Sequence, residues 1–230
     1  DIVVHDRLVD SRILEMAPST ATVIDAGKYP GGPSDAQAHI NAVLVDAARR
    51  TSVVVRLKGG DPYVFGRGGE EAVALRSAGV EVEVVPGVSS AIAGPAAAGI
   101  PVTMRGLSSG FTVVTGHQDP AGTDPLDWEA LARLGTTLVV LMGASQAAAI
   151  ADRLLTAGMA PATPVAAVES ATSVEQRVLR SRLDELADLA EGTIQAPAVL
   201  VVGEVAGLDV ADAEFGALVS EMASETGGGR

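Results

Sequence analysis

The sequence predicts an α/β protein built from two α/β domains, with an active-site cleft between them. Short apolar runs rich in β-branched residues alternate along the chain with alanine-rich stretches typical of helices. A stretch containing glycine and proline, residues 99–106, separates two such blocks of similar size. Several predicted strands end in glycine or small polar residues, and α/β sheets bind ligands at the carboxyl ends of their strands.

The individual elements follow from the same alternation. The predicted strands are residues 2–5, 52–57, 81–85, 111–115, 137–141, 165–168 and 198–202. They are apolar on both faces, which is typical of central strands in a mostly parallel sheet. The predicted helices are residues 34–50, 68–77, 89–98, 127–134, 145–157 and 183–189. The first of them begins at Ser34-Asp35-Ala36-Gln37, a pattern that resembles a capping box.

The domain boundary is predicted within the glycine- and proline-containing stretch. We place it after residue 104, which gives an N-terminal domain of residues 1–104 and a C-terminal domain of residues 105–230. The acidic tail from about residue 209 ends in three glycines and an arginine and is expected to be frayed.

Composition excludes several classes of protein. The chain has 230 residues, of which 47% are hydrophobic, and no cysteine, which excludes disulfides and thiolate chemistry. Three histidines make a polyhistidine metal centre unexpected, so we predict no metal. The formal net charge of −13 predicts no nucleic-acid or membrane partner. The chain shows no long apolar span and does not open on a secretory signal pattern, so we expect a cytoplasmic protein.

The most informative segment is residues 56–71, RLKGGDPYVFGRGGEE. A predicted strand runs into a glycine pair, then Asp-Pro, then a second glycine cluster that opens a helix. Glycines let backbone amides approach a ligand, and Arg56, Lys58 and Arg67 add positive charge. A tight turn between strand and helix is an equally good interpretation. Only two lysines occur, Lys28 and Lys58, and each adjoins a glycine, which favours a specific use of the ammonium group.

Other predicted strand ends carry weaker signals. Asp6 follows the first strand, where it would serve either as a base or as a helix cap or ion-pair partner of Arg7. Ser89 and Ser90 would either cap a helix or bind a ligand. His117 after the fourth predicted strand is expected to be structural.

These segments together resemble the tetrapyrrole methylase family. The matching stretches are residues 6–9, 27–28, 54–71, 84–90, 99–105, 115–117, 141–143, 169–178 and 197–203. They cover almost the whole chain in order. The long stretch 54–71 is specific to the family, whereas the others are individually weak. The first strand and Gly-x-Gly-Pro-Gly loop usual in the family do not precede Asp6 in this sequence, which begins at Asp1.

The resemblance implies a homodimer that binds S-adenosylmethionine in the cleft. It also implies methylation of two pyrrole carbons of uroporphyrinogen III to give precorrin-2, for sirohaem or cobalamin synthesis. The open alternatives are a sister enzyme acting on a later precorrin, and a truncated, non-catalytic protein that binds a tetrapyrrole or S-adenosylhomocysteine. Phosphate binding at the glycine turns is disfavoured, because Asp61 would repel a phosphate group.

Site residues follow from the matched motifs. The resemblance implies that Asp6 is the proton acceptor and Lys28 the proton donor. The positions implied for the cofactor are Gly59, Gly60, Asp61, Val64, Ser89, Ser90, Met142 and Ala171. Met142 would be a core residue without the resemblance, the family usually has Thr-Ala where Ser89 and Ser90 stand, and it commonly has glycine at position 171. We expect Arg7, Arg67 and Arg105 to contact substrate carboxylates.

Overall fold

The structure is a computed structural model that describes residues 1–27, 36–116, 126–190 and 193–210. Its contacts divide the chain into two units, Asp1–Ser89 and Ser90–Arg230, each with its own sheet. The predicted class of two α/β units is therefore confirmed. The contact division falls earlier than the predicted boundary after residue 104.

The first unit contains a small parallel sheet. Its strands are β1 (Ile2–His5), β2 (Thr22–Asp25) and β3 (Val54–Leu57), in the order β2-β1-β3. Its helices are α1 (Ser11–Leu14), α2 (Ala36–Arg50) and α3 (Gly68–Ser77).

The core of the first unit lies between β1 and α2. Alternate strand residues Ile2 and Val4 face the helix, which presents Ile40, Leu44 and Ala47. These helix positions are four and three residues apart, so they lie on one side of α2 and bury a continuous apolar stripe. The covered sheet places the carboxyl ends of β1, β2 and β3 side by side.

The second unit contains a five-stranded sheet of order β4-β5-β8-β6-β7. Its strands are β4 (Phe111–Thr115), β5 (Thr137–Leu141), β6 (Pro164–Glu169), β7 (Arg177–Arg182) and β8 (Ala198–Val202). Its helices are α4 (Ser90–Ala97), α5 (Trp128–Arg133), α6 (Ala147–Thr156) and α7 (Leu186–Ala190).

The prediction of a mostly parallel sheet holds for the first unit but is wrong for the second. Only β4 and β5 pair in parallel there, and the other three pairings are antiparallel. The sheet is covered on both faces, with Leu138 and Val140 of β5 in one cluster and Val139 and Leu141 in the other. A strand buried on both faces is apolar throughout, whichever way it runs. The apolar pattern therefore does not show whether it pairs with its neighbours in parallel or antiparallel.

Residues 81–85 are not a strand, although they were predicted to be one. They pair with no strand of the described residues, and Val85 is 74% exposed. The alternation of Glu and Val in this segment is typical of a strand, but the segment forms no strand pairing with either sheet in the described part of the chain. Two strands were missed: β2 is a four-residue edge strand, and β7 carries three arginines in six residues. The short helix α1 was missed as well.

The predicted helices are confirmed with small shifts at their ends. The segment 34–35, with the capping-box serine, lies outside the described residues, and α2 is described from Ala36. Both α6 and α7 begin later than predicted because a 3-10 turn precedes each. Residues Ala91, Ala98 and Ile100, around α4, pack in the second unit's core, which explains the earlier division of the chain. Within the described ranges, none of the helices combines the length and the apolar character that a membrane-spanning helix requires.

Candidate functional site

Four charged side chains of the first unit converge at the carboxyl ends of β1 and β3. We call Asp6, Arg56, Lys58 and Glu71 the charge cluster. Arg56 donates from Nη2 to Asp6 Oδ1 and, at 3.2 Å each, from Nε and Nη2 to the two Glu71 oxygens. Lys58 Nζ lies 3.3 Å from Asp6 Oδ2 and 3.3 Å from Glu71 Oε1. Each cation therefore joins the same two carboxylates.

Burial differs sharply across the charge cluster. The side chains of Glu71, Lys58 and Arg56 are 5%, 7% and 12% exposed, whereas that of Asp6 is 32% exposed. Burial would lower the pKa of Arg56, but its hydrogen bonds to Asp6 and Glu71 outweigh that effect and raise the pKa. The charges of Arg56 and Lys58, which the sequence offered to a ligand, are thus balanced inside the protein. Asp6 is the member that reaches solvent.

The glycine turn after β3 is organised by Asp61. Its Oδ1 accepts from the Tyr63 backbone N–H at 2.8 Å, and its Oδ2 accepts from the Gly87 backbone N–H at 3.1 Å. These bonds hold the pKa of the Asp61 carboxyl below its ordinary value, and the bond from Gly87 has the larger effect. The carboxylate therefore fastens the segment around Gly87 to the turn.

Two glycines of this region have opposite surroundings. A Cβ at Gly87 would lie 2.4 Å from the carbonyl oxygen of Gly60, so the two backbones are in direct contact. A Cβ at Gly59 would meet nothing within 4 Å, so the face of the turn at Gly59 is open. Gly60 has a φ of 75°, which favours glycine. Val64, on the same turn, is 39% exposed. The arrangement leaves backbone and one apolar side chain accessible beside open space.

Ser89 and Ser90 follow Gly87 after one intervening residue, Val88. Ser89 is 9% exposed, and Ser90 is the exposed first residue of α4. Ser89 lies on the segment that the Asp61 carboxylate fastens to the glycine turn.

In the second unit, the predicted cofactor residue Met142 is the first residue after β5, and Ala171 is the second residue after β6. Met142 has a φ of 56° and is 51% exposed, so it is not the core residue that its apolar nature suggested. Ala171 lies between Ser170 and Thr172, whose φ angles are 43° and 70°. Left-handed backbone is costly for residues with a side chain, and such strain is concentrated at functional sites.

Glu169, the last residue of β6, anchors the loop that carries Ala171. It is 5% exposed and accepts from Arg177 Nε at 2.7 Å and from the Gln195 backbone N–H at 2.7 Å. The Arg177 guanidinium, helped by the Gln195 N–H, lowers the pKa of Glu169 against the opposing effect of burial. One carboxylate therefore joins β6, β7 and the segment before β8.

We expect Glu169→Gln to lower the melting temperature at pH 7 by about 2–4 °C. The folded pKa of Glu169 lies below its ordinary 4.5, so its stabilisation is complete above that pH and is lost as the pH falls through the lowered folded pKa. The difference between variant and wild type should therefore narrow below pH 4.5 in thermal melts. Glu129→Gln, which removes an exposed pair with Arg133, is the control and should change little. A difference that does not depend on pH contradicts this role.

The three predicted substrate arginines have different surroundings. Arg7 is exposed in the loop after β1, and Arg105 is exposed in the turn between Met104 and Ser108. Neither makes an ion pair within the ranges that the structure describes. Arg67 is paired with Glu70 at 2.8 and 2.6 Å, and this pairing raises its pKa. A substrate carboxylate would have to share Arg67 with that glutamate.

Two residues singled out from the sequence, Lys28 and His117, lie outside the described residues. Gly27, the neighbour of Lys28, packs closely against the loop of Arg7, because a Cβ there would lie 2.6 Å from Arg7 Cβ. The Gly27 N–H also donates to Asp25 Oδ1 at 2.7 Å. Gly27 thus adjoins Arg7, the residue that follows Asp6.

A family model described as tetrapyrrole (corrin/porphyrin) methylases matches residues 1–187. The chain therefore belongs to the tetrapyrrole methylase family, as its motifs indicated.

Two of the relatives at high identity are named for the methylation of uroporphyrinogen III, and a third is named siroheme synthase. The chain is 50% identical over 207 residues to the S-adenosyl-L-methionine-dependent uroporphyrinogen III methyltransferase of Methanosarcina barkeri, covering 89% of this chain and 81% of that protein. It is 49% identical to the uroporphyrinogen-III C-methyltransferase of Pseudomonas aeruginosa, covering 89% and 83%. It is also 45% identical to the siroheme synthase of Edwardsiella ictaluri, over 89% of this chain but only 44% of that longer protein.

Solved structures agree with these relatives. The uroporphyrin-III C-methyltransferase of Thermus thermophilus in complex with S-adenosylhomocysteine has a TM-score of 0.74 and 44% identity, covering 89% of this chain and 85% of that one. A cobalt precorrin-4 methyltransferase reaches a TM-score of 0.77 at 24% identity over 90% of this chain and 85% of its own, which shows a shared fold alone.

Proposed function

We propose that this protein transfers methyl groups from S-adenosylmethionine to two pyrrole carbons of uroporphyrinogen III, giving precorrin-2. The observation that carries the proposal is the 50% identity to the M. barkeri enzyme over 89% of the chain. The charge cluster and the open glycine turn support it, because they supply a solvent-reaching carboxylate beside a backbone surface suited to a ligand.

The residues of the glycine turn fit a bound nucleoside-type methyl donor. Gly59 has open space where a side chain would stand, and Val64, later in the same turn, is exposed. Met142 and Ala171 of the second unit follow strand ends, where α/β proteins bind ligands. We assign the donor to these residues together with Gly60, Asp61, Ser89 and Ser90. When bound, S-adenosylmethionine supplies a methyl group already activated by a positively charged sulfur.

Asp6 is the residue we assign to proton transfer. When an electron-rich pyrrole carbon gains a methyl group, the ring becomes a cation that is neutralised by loss of a proton from another position of the tetrapyrrole, and a positioned carboxylate accepts that proton. Asp6 is the most exposed member of the charge cluster, so it is the member a substrate can reach. Lys28 is the residue we propose as the proton donor of the reaction.

The substrate is a polycarboxylate, and the net charge of −13 on this chain would repel it. Local cations must therefore attract it. Arg7 and Arg105 are exposed and hold no ion pair within the described part of the chain, so they are the stronger candidates; Arg67 is the third. Bidentate arginine contacts suit carboxylates.

The family resemblance further implies a homodimer and a cytoplasmic location. These statements stay predictions, as does the choice between sirohaem and cobalamin as the end product. A sister enzyme acting on a later precorrin is the second candidate, and the observation behind it is the fold shared with a cobalt precorrin-4 methyltransferase at 24% identity.

The test is product analysis. Purified protein is incubated anaerobically with uroporphyrinogen III and S-adenosylmethionine, and the tetrapyrroles are examined by mass spectrometry. Addition of two methyl groups is the expected result. Methylation of a later precorrin but not of uroporphyrinogen III would support the sister enzyme instead. Tight S-adenosylhomocysteine binding without transfer to either substrate would favour a non-catalytic binding protein.

A further inference from the structure

Glu71 is a buried carboxylate to which the family motif assigns no role. It lies on α3, four residues after Arg67, and is 4% exposed. Its Oε1 accepts from Arg56 at 3.2 Å, from Lys58 at 3.3 Å and from the amide of Gln37 on α2 at 3.3 Å. A buried charge with this many partners is held in one place by α2, α3 and β3.

The charges explain why Glu71 matters to Asp6. The charge cluster contains two cations and two carboxylates, so it is neutral as a whole. Without the charge of Glu71, two buried cations would share Asp6 alone. An uncompensated buried charge is strongly unfavourable, so the cations would rearrange toward solvent.

The geometry gives the same result. Asp6 Oδ1 is held by Arg56 and Oδ2 by Lys58, and both cations are held from the other side by Glu71. The guanidinium of Arg56 is fixed further by the carbonyl oxygens of Val4 and Leu57, at 3.3 Å each. The ammonium of Lys58 has only Asp6 and Glu71 as partners within the ranges described. Lys58 is therefore held by fewer contacts than Arg56, and its position depends on Glu71.

We propose that Glu71 is a positioning residue for methyl transfer: it holds Arg56 and Lys58 so that they fix the orientation of the Asp6 carboxylate. Glu71 does not touch Asp6, and it acts only through the two cations. This inference rests on the proposed function, in which Asp6 accepts a proton from the substrate.

The experiment compares Glu71→Gln with wild type in the uroporphyrinogen III assay. We expect kcat to fall by about 10²-fold, because small displacements of a reacting group have effects of that size. The KM for uroporphyrinogen III and the Kd for S-adenosylhomocysteine should stay unchanged. Asp46→Asn, which removes an exposed carboxylate paired with Arg50 on α2, is the matched control and should behave as wild type.

A double mutant separates positioning from a general structural role. If Glu71 acts through Asp6, adding Glu71→Gln to Asp6→Asn should lower kcat no further. Additive losses, or a Glu71→Gln variant with wild-type kcat, would overturn the inference while leaving the proposed function intact. Should Glu71→Gln fail to fold, Glu71→Asp keeps the charge but shortens the reach, and a reduced kcat at unchanged KM is expected; a wild-type kcat would overturn the inference.

A structural measurement tests the positioning role of Glu71 separately from the proposed function. If wild-type protein does not methylate uroporphyrinogen III, the proposed function fails. Crystal structures of wild type and Glu71→Gln still show whether Glu71 determines the position of Lys58. The inference expects Lys58 Nζ to leave Asp6 Oδ2 in the variant. An unchanged contact would overturn it.

Discussion

Asp6→Asn should lower kcat for uroporphyrinogen III methylation by about 10²–10⁴-fold, the usual contribution of a positioned acid or base. The amide keeps the shape of the side chain but cannot accept the substrate proton. Asp6 lies outside the glycine turn, so the Kd for S-adenosylhomocysteine should be unchanged. Single-turnover assays with saturating substrate measure the transfer itself.

Two comparisons make this result specific. Asp46→Asn removes an exposed carboxylate of the same unit, whose ion-pair partner is the exposed Arg50. This variant should keep wild-type kcat. Thermal melts of both variants detect any loss of folding, because Asp6→Asn also removes a counter-charge from Arg56 and Lys58. A folded Asp6→Asn protein with kcat near that of wild type would exclude Asp6 as the proton acceptor.

Gly59→Ala should weaken S-adenosylhomocysteine binding by about 5- to 150-fold, which corresponds to about 1–3 kcal/mol of overpacking. The added methyl group meets no protein atom within 4 Å, so it should leave the melting temperature of the unliganded protein intact. The loss of affinity would arise only because the ligand occupies that space. Isothermal titration calorimetry measures the affinity.

Gly69→Ala is the matched control for Gly59→Ala. Gly69 lies inside α3, and a Cβ there also meets nothing within 4 Å. Alanine is favoured over glycine in a helix by about 0.5–1 kcal/mol, so this variant should be slightly more stable and should bind the ligand as wild type does. If wild type, Gly59→Ala and Gly69→Ala bind S-adenosylhomocysteine with equal affinity, the ligand does not occupy the open space at Gly59.

Much of the fold could be predicted because the signals were local. Strands such as β5 and β8 are uninterrupted apolar runs, and helices such as α3 follow glycine-rich turns. Strand direction could not be predicted, because β6 and β8 are buried on both faces and carry no directional pattern. The false strand at 81–85 had the correct alternation but lacked a partner, and pairing is a tertiary property.

The candidate site shows the same division. The matched stretches 6–9 and 54–71 indicated Asp6, Lys58 and the glycine turn, but they did not reveal that Arg56 and Lys58 form ion pairs with Asp6 and Glu71. Charge balance was the available signal, since the motif places two glutamates after its three cations. Which glutamate turns inward depends on helix phase: Glu71 faces Gln37 and β3, whereas Glu70 pairs with Arg67 at the surface.

Binding of the methyl donor at the glycine turn around Asp61 can be measured by hydrogen–deuterium exchange of the wild-type protein with and without saturating S-adenosylhomocysteine. We expect slower exchange in peptides covering residues 58–65 and 86–90 when the ligand is present. Ligand binding that leaves exchange in both segments unchanged would contradict it.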